Sequence, residues 1–227
     1  MSLLATDDRE LVQRYFGQKL TVPVRLAAFT DEGDAGVTPF QSGTSSRQTR
    51  ELVEEIAGLS DLIAPEVHDV AEHAGLAEEW GILAAPTIAI GPADDDAPPR
   101  VRFVGYPGGH EFTSLLETLG SVGRENWGLT PETVELLARV DRPIDLKTFV
   151  TPTCIYCPKA AVMAHRLALA SPVIRSTCIE SEEMSHLASK YQIMMVPKMV
   201  VNEVYDFVGA LPEVQFVTQV LQGSLAT

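Results

Sequence analysis

The sequence is poor in cysteine. It has three in 227 residues (Cys154, Cys157 and Cys178) and none before position 154. That excludes a disulfide-stapled scaffold and confines any thiol chemistry to the C-terminal half. Basic residues are also scarce, 17 Lys and Arg against 31 Asp and Glu, for a formal net charge of −14. Residues 1–120 hold 20 acidic against 8 basic side chains, a balance of −12, whereas residues 121–227 hold 11 against 9, a balance of −2. So acidic a front half argues against nucleic acid and anionic membrane as partners. It reads as a solvated face first and as a dock for a basic partner second. No apolar run approaches the ~20 residues that a membrane helix needs. The residues from Met1 to Glu10 are too polar and acidic for a signal peptide, so the expected compartment is the cytoplasm. A Gly-rich dinucleotide-binding motif is missing as well. What remains is ordinary for a globular protein: 45% hydrophobic and 21% charged residues, in a length that allows one large domain or two small ones.

The two paired cysteines stand in the most informative stretch, residues 149–158. Leu146, Phe149 and Val150 form an apolar run that reads as a buried strand, and residues 159–170 read as a helix. Cys154 and Cys157 fall in the turn between them and at the helix start. A helix start presents unpaired N–H groups and the positive end of its dipole, and both favour a thiolate over a thiol. The thiolate is the species that attacks disulfides. Pro158 is harmless there, because first-turn N–H groups have no intrahelical partner to lose. The same pair is compatible with half a zinc site or a structural disulfide. Zinc wants four ligands, usually from a second pair. Only Cys178 and five histidines remain, none paired at ligand spacing, so no metal is expected.

The chain also repeats itself. In the first half, residues 7–19 read as a helix (Leu11, Val12, Tyr15 and Phe16 at helical spacing) and 20–29 as a strand. Residues 30–46 read as a polar loop, 47–57 as a helix, 62–70 as a strand and 71–80 as a helix. Strands at 87–90 and 101–104 flank a hairpin loop at 91–99, and a helix covers 112–119. The order β-α-β-α-β-β-α recurs downstream. Residues 77–90 align with 188–201 at a constant offset of 111, setting Trp80 on Tyr191, Ile82 on Ile193 and Pro86 on Pro197. Leu26 to Phe29 matches Leu146 to Phe149, and Phe103 to Gly105 matches Phe207 to Gly209. The expected organisation is therefore a unit over 1–120, a linker over 121–142 and a second unit over 143–227. Thr130 and Pro131 read as the N-cap and first residue of a connecting helix that runs to Val140. Counting from Phe29, Asp34 and Val37 occupy the places of Cys154 and Cys157, so the first unit cannot exchange disulfides.

The second half resembles the thioredoxin fold. The tandem arrangement resembles the protein disulfide oxidoreductases, glutaredoxin-like proteins built of two thioredoxin-fold units. The residues that carry this are the 149–158 stretch, Met163 to His165, Val196 to Lys198 and, in the first half, Tyr106 to Phe112. The resemblance implies an α/β fold of two tandem thioredoxin-like units, each a mixed central β-sheet flanked by helices. It implies that Cys154 is the nucleophile and Cys157 the resolving thiol. Pro197 would be a cis-proline facing the sulfurs, leaving the backbone of Val196 free to pair with an extended substrate chain, and Pro86 its counterpart in the silent unit. Tyr156 would contact substrate. Lys159 and Lys198 flank the site as candidates for stabilising the thiolate, with ordinary solvated lysines as the other reading. The sequence departs from the pattern in three places. Ile155 replaces the usual proline between the cysteines. Thr148 stands where thioredoxins proper keep a buried carboxylate, and Gly209 to Pro212 replaces the Gly-Gly pair of a glutathione site.

Elsewhere, Cys178 reads as a small buried residue in a strand over 173–179, and His165 as packed or exposed rather than catalytic. His110 and Glu111 read as a polar pair that faces the second half or lies between the halves, with no chemistry to assign. Asp31, Glu32 and Asp34 read as a solvated acidic loop. The expected function is a thiol–disulfide oxidoreductase that exchanges two electrons between Cys154/Cys157 and protein disulfides, without a bound cofactor. A thioredoxin-reductase-like enzyme would restore its electrons, or a peroxiredoxin would receive them. The alternative is a redox-sensing adaptor or electron-transfer module that docks a peroxiredoxin or reductase through its inactive first unit. Tandem units with one dead copy also resemble the N-terminal part of bacterial alkyl hydroperoxide reductase flavoproteins, where the module passes electrons to a peroxiredoxin.

Overall fold

The structure, a computed structural model, describes residues 3–31, 43–124 and 127–226. Helix α1 (Thr6–Lys19) buries Val12 and Phe16, and Asp7, Asp8 and Lys19 sit at the ends that its dipole favours. Strand β1 (Val24–Thr30) begins later than residue 20, because Thr21 and Val22 give their amides to the carbonyl of Gly123. Helix α2 (Gly43–Ala57) buries Leu52, Val53 and Ile56, and β2 (Ile63–Asp69) follows. Helix α3 (Ala74–Glu79) starts three residues later than the sequence predicts. The reason is local: the Asp69 carboxylate accepts the amides of Ala71 and Glu72 at 2.8 and 3.2 Å and holds a turn there. Strands β3 (Thr87–Pro92) and β4 (Val101–Val104) form the expected antiparallel hairpin, closed off by α4 (Glu111–Val122).

The second half opens with α5 (Pro131–Leu137). The Thr130 hydroxyl accepts the amide of Thr133, the cap read from the sequence, but the helix stops at Leu137 rather than Val140. Then come β5 (Ile144–Val150), α6 (Cys157–Ala170), β6 (Ile174–Glu180), α7 (Ser185–Lys190), β7 (Lys198–Val201), β8 (Tyr205–Val208) and α8 (Glu213–Leu225). Both halves follow the same β-α-β-α-β-β-α order.

The two halves share one sheet, in the order β2-β1-β3-β4-β6-β5-β7-β8. The seam is a parallel pairing of β4 with β6, from Val101 opposite Ser176 to Val104 opposite Ile179. Because strand side chains alternate, the sheet has two distinct faces. One carries the long helices and the main core, where Phe16, Leu52, Leu115, Leu167 and Phe216 pack on Leu26, Ile88, Phe103, Leu146 and Met199. Each such side chain contributes about 1.5–3 kcal/mol on burial. The other face carries two smaller clusters, Phe29 with Trp80 near α3 and Phe149 with Ile179 and Met184 near α7.

Candidate active site

The dithiol sits where a buried strand gives way to a helix. After β5 the chain turns, with the carbonyl of Thr151 accepting the amide of Cys154 at 3.2 Å and that of Cys154 accepting the amide of Cys157 at 3.3 Å. These bonds bring the sulfurs of Cys154 and Cys157 into a disulfide, with Cα atoms 5.4 Å apart. The Cys157 amide also lies 3.2 Å from Sγ of Cys154. Cys157 is fully buried at the head of α6, while Cys154 is half-buried, so Cys154 is the more accessible of the two sulfurs. When the ring opens, that amide and the α6 dipole act on the Cys154 sulfur and favour its anion.

Between the two cysteines, Tyr156 is 66% and Ile155 65% exposed; Met194 and Met195, which precede Val196 in the chain, are exposed as well. The Val196–Pro197 bond is cis, as the resemblance implied, and so is Ala85–Pro86 in the first half. Neither the amide nor the carbonyl of Val196 pairs with another described residue. Lys159 is exposed on the first turn of α6. Lys198 donates to Asp206 at 3.1 Å and to the Tyr191 carbonyl at 3.2 Å, so its ammonium is already engaged.

The first half reaches into this site. The His110 amide donates to the carbonyl of Pro152 at 2.9 Å, two residues before Cys154. Gly109, at φ 57°, allows the approach, since a Cβ there would run into the Pro152 backbone. Glu111 opens α4, is 1% exposed, and accepts from Ser114 at 2.8 Å and from the thiol of Cys178 at 3.6 Å. Burial pushes its carboxyl up to about 7, against the lowering effect of those two bonds. Cys178 pairs with Thr148 across β6 and β5, and paired residues share a face. The strand thus lacks a carboxylate at Thr148, yet α4 of the first half brings one to the neighbouring thiol. The sequence marks His110 and Glu111 as a polar pair near the second half, but nothing local to them names Cys178 as the partner. Cys178 itself is buried, and its thiol is pushed well up by burial and by Glu111. His165 is buried against Phe103 and Ser176, and burial drops it to about 3, so it stays neutral and structural. Glu32, Asp34 and Val37 lie outside the described residues.

The chain is similar to known proteins in sequence and in fold. A thioredoxin domain family model matches residues 144–222. The chain is 25% identical over 185 residues to the F subunit of alkyl hydroperoxide reductase from Pseudomonas putida, covering 82% of this chain and 31% of that protein. It is 26% identical over 202 residues to the Escherichia coli protein of the same name, covering 88% and 34%. The chain thus spans about a third of the length of these curated relatives. Among solved structures, a protein disulfide oxidoreductase from Aeropyrum pernix superposes with a TM-score of 0.84 at 26% identity, over 98% of this chain and 93% of that one. The N-terminal domain of the alkyl hydroperoxide reductase AhpF from Enterococcus faecalis gives 0.84 at 23% identity, over 96% and 99%, and shows the shared fold.

Proposed function

We propose that the chain is a thioredoxin-like disulfide oxidoreductase that reduces protein disulfides by two-electron exchange at Cys154 and Cys157. The observation that carries this reading is the Cys157 amide set 3.2 Å from the Cys154 sulfur at a helix start. The Cys154 thiolate attacks one sulfur of a substrate disulfide; that bond breaks and the other substrate sulfur leaves as a thiolate. Cys157 then loses its proton and attacks Sγ of Cys154, releasing the second substrate sulfur. Two electrons have moved to the substrate, and the ring seen in the structure is the oxidised product.

The remaining roles follow from position. Val196 offers its amide and carbonyl to an extended substrate chain, and Tyr156, with Ile155, Met194 and Met195, gives that chain an apolar platform. Lys159 adds positive charge to the thiolate's surroundings; Asp206 neutralises much of what Lys198 adds. We take residues 1–120 as a unit without a dithiol, 121–142 as the linker and 143–227 as the working unit, acting in the cytoplasm. The likeness to the F subunit of alkyl hydroperoxide reductase supports a peroxiredoxin as the onward acceptor, and a thioredoxin-reductase-like enzyme is the matching electron source. Insulin reduction tests the reading: wild type turns over and Cys154→Ser does not. A wild type inert toward every protein disulfide would instead favour the adaptor.

A further inference from the structure

The sheet face beneath α3 and α7 holds a charge that the fold compensates only in part. Arg102, in β4, is 2% exposed. Its Nη1 donates to the carbonyl of Gly81 at 3.2 Å, but Nε and Nη2 have no hydrogen-bond partner among the described residues. Buried guanidinium nitrogens are ordinarily paired, because an unpaired charge inside a protein is costly. The adjacent group is a second guanidinium. A Cβ built on Gly81 would lie 3.4 Å from Nη1 of Arg175 and 3.6 Å from Nη1 of Arg102, so the two guanidiniums meet at the face of Gly81 that carries no side chain. Gly81 itself has φ 61°.

Among the described residues, the acidic groups of this face hydrogen-bond other cations. Asp145, opposite Arg175 in the sheet register, accepts from Lys147, which also bonds Glu203. Glu66 pairs with Arg25. Burial first, and then Arg175, pull the Arg102 guanidinium down to about 10, and Asp145 offsets this only in part. Arg175 is exposed, so the spot opens to solvent.

We infer that Arg102 and Arg175, where they meet at Gly81, form a binding site for a phosphate group. Two guanidiniums match the double charge of a phosphate, whose oxygens accept forked N–H pairs, whereas a single carboxylate leaves one charge unmet. The site is distinct from the dithiol. Arg175 lies at the N-terminal end of β6, and the cysteines follow the C-terminal end of the parallel strand β5. It also straddles the seam, with Gly81 and Arg102 from the first half and Arg175 from the second, so a bound phosphate holds the halves together and stabilises the native state by mass action.

The test titrates the full-length oxidised chain with inorganic phosphate at constant ionic strength held by sodium chloride. The readouts are the arginine Nε–H resonances and the melting temperature. A saturable shift of the Arg102 resonance and a rise in Tm are expected, with acetate much weaker. Arg175→Gln, at an exposed position, is expected to weaken phosphate binding about tenfold or more, the loss of one charge-assisted hydrogen bond. Glycerol phosphate binding as tightly as the free ion supports an esterified ligand, and weaker binding supports the free ion. Phosphate no more effective than chloride, acetate equal to phosphate, or an Arg175→Gln response equal to wild type would overturn the assignment.

Discussion

The backbone N–H of Cys157 lies 3.2 Å from the sulfur of Cys154. In the proposed mechanism the two cysteines have different roles, because only Cys154 is both accessible and served by the helix start. Cys154→Ser is expected to abolish insulin reduction. Cys157→Ser is expected to attack substrate once and stall as a mixed disulfide, visible as an adduct by mass spectrometry. Adducts on Cys157 in the Cys154→Ser protein would reverse the assignment.

Glu111 predicts an unusual pH dependence. Folded, its carboxyl keeps a proton up to about 7; unfolded, it titrates near 4.5. Between those values the folded chain binds more protons, so stability falls as pH rises through the window and is lowest above it. At about 1.4 kcal/mol per pH unit, Glu111→Gln should gain about 2 kcal/mol over wild type between roughly pH 5 and pH 8. Denaturant melts of both proteins read this directly. His165 acts in the opposite sense, since a folded-state value near 3 means stability is lost as pH falls below 6.5, but it cancels in the difference between the two proteins. A difference that stays flat with pH would contradict the buried, protonated carboxyl.

Tyr156 offers an apolar face beside the sulfurs and little to the core, being 66% exposed. Tyr156→Ala should therefore raise KM for a protein disulfide about tenfold, or ~1.4 kcal/mol, with stability unchanged. The rate with a small aromatic disulfide should move far less. Equal losses on both substrates would show that Tyr156 shapes the dithiol instead of the docking surface.

The seam predicts what truncation does. Removing residues 1–120 strips β4 from β6 and α4 from the face it shares with α6, leaving β6 as an open sheet edge. Open edges invite association. The fragment 121–227 is expected to unfold at lower denaturant and to self-associate in light scattering. A monomeric fragment as stable as the whole chain would show that the halves are independent.

Much of this was legible in the chain because the signals are local. The strand, turn and helix around Cys154 lie within about 25 residues, and Thr130 with Pro131 wrote the start of α5 in two. The repeat, from Trp80 on Tyr191 to Pro86 on Pro197, carried the architecture. What escaped depends on residues far apart in sequence. Nothing near Val101 announces Ser176 as its strand partner, and nothing near Glu111 points to Cys178, 67 positions on. Arg102 lies in a strand where alternation makes a polar residue look outward-facing, yet it is buried, with the turn after α3 bringing the Gly81 carbonyl to it. The late start of α3 is a smaller case, decided by one Asp69 carboxylate that bonds the backbone before the helix can.

The most direct test of the account is the acidity of the Cys154 thiol in the reduced protein, followed by thiolate ultraviolet absorbance with Cys157→Ser as the single-thiol reference. A titration midpoint at least about one pH unit below the ~8.5 of free cysteine is the predicted result. A midpoint at or above the free value would contradict the claim that the start of α6 prepares this sulfur for exchange.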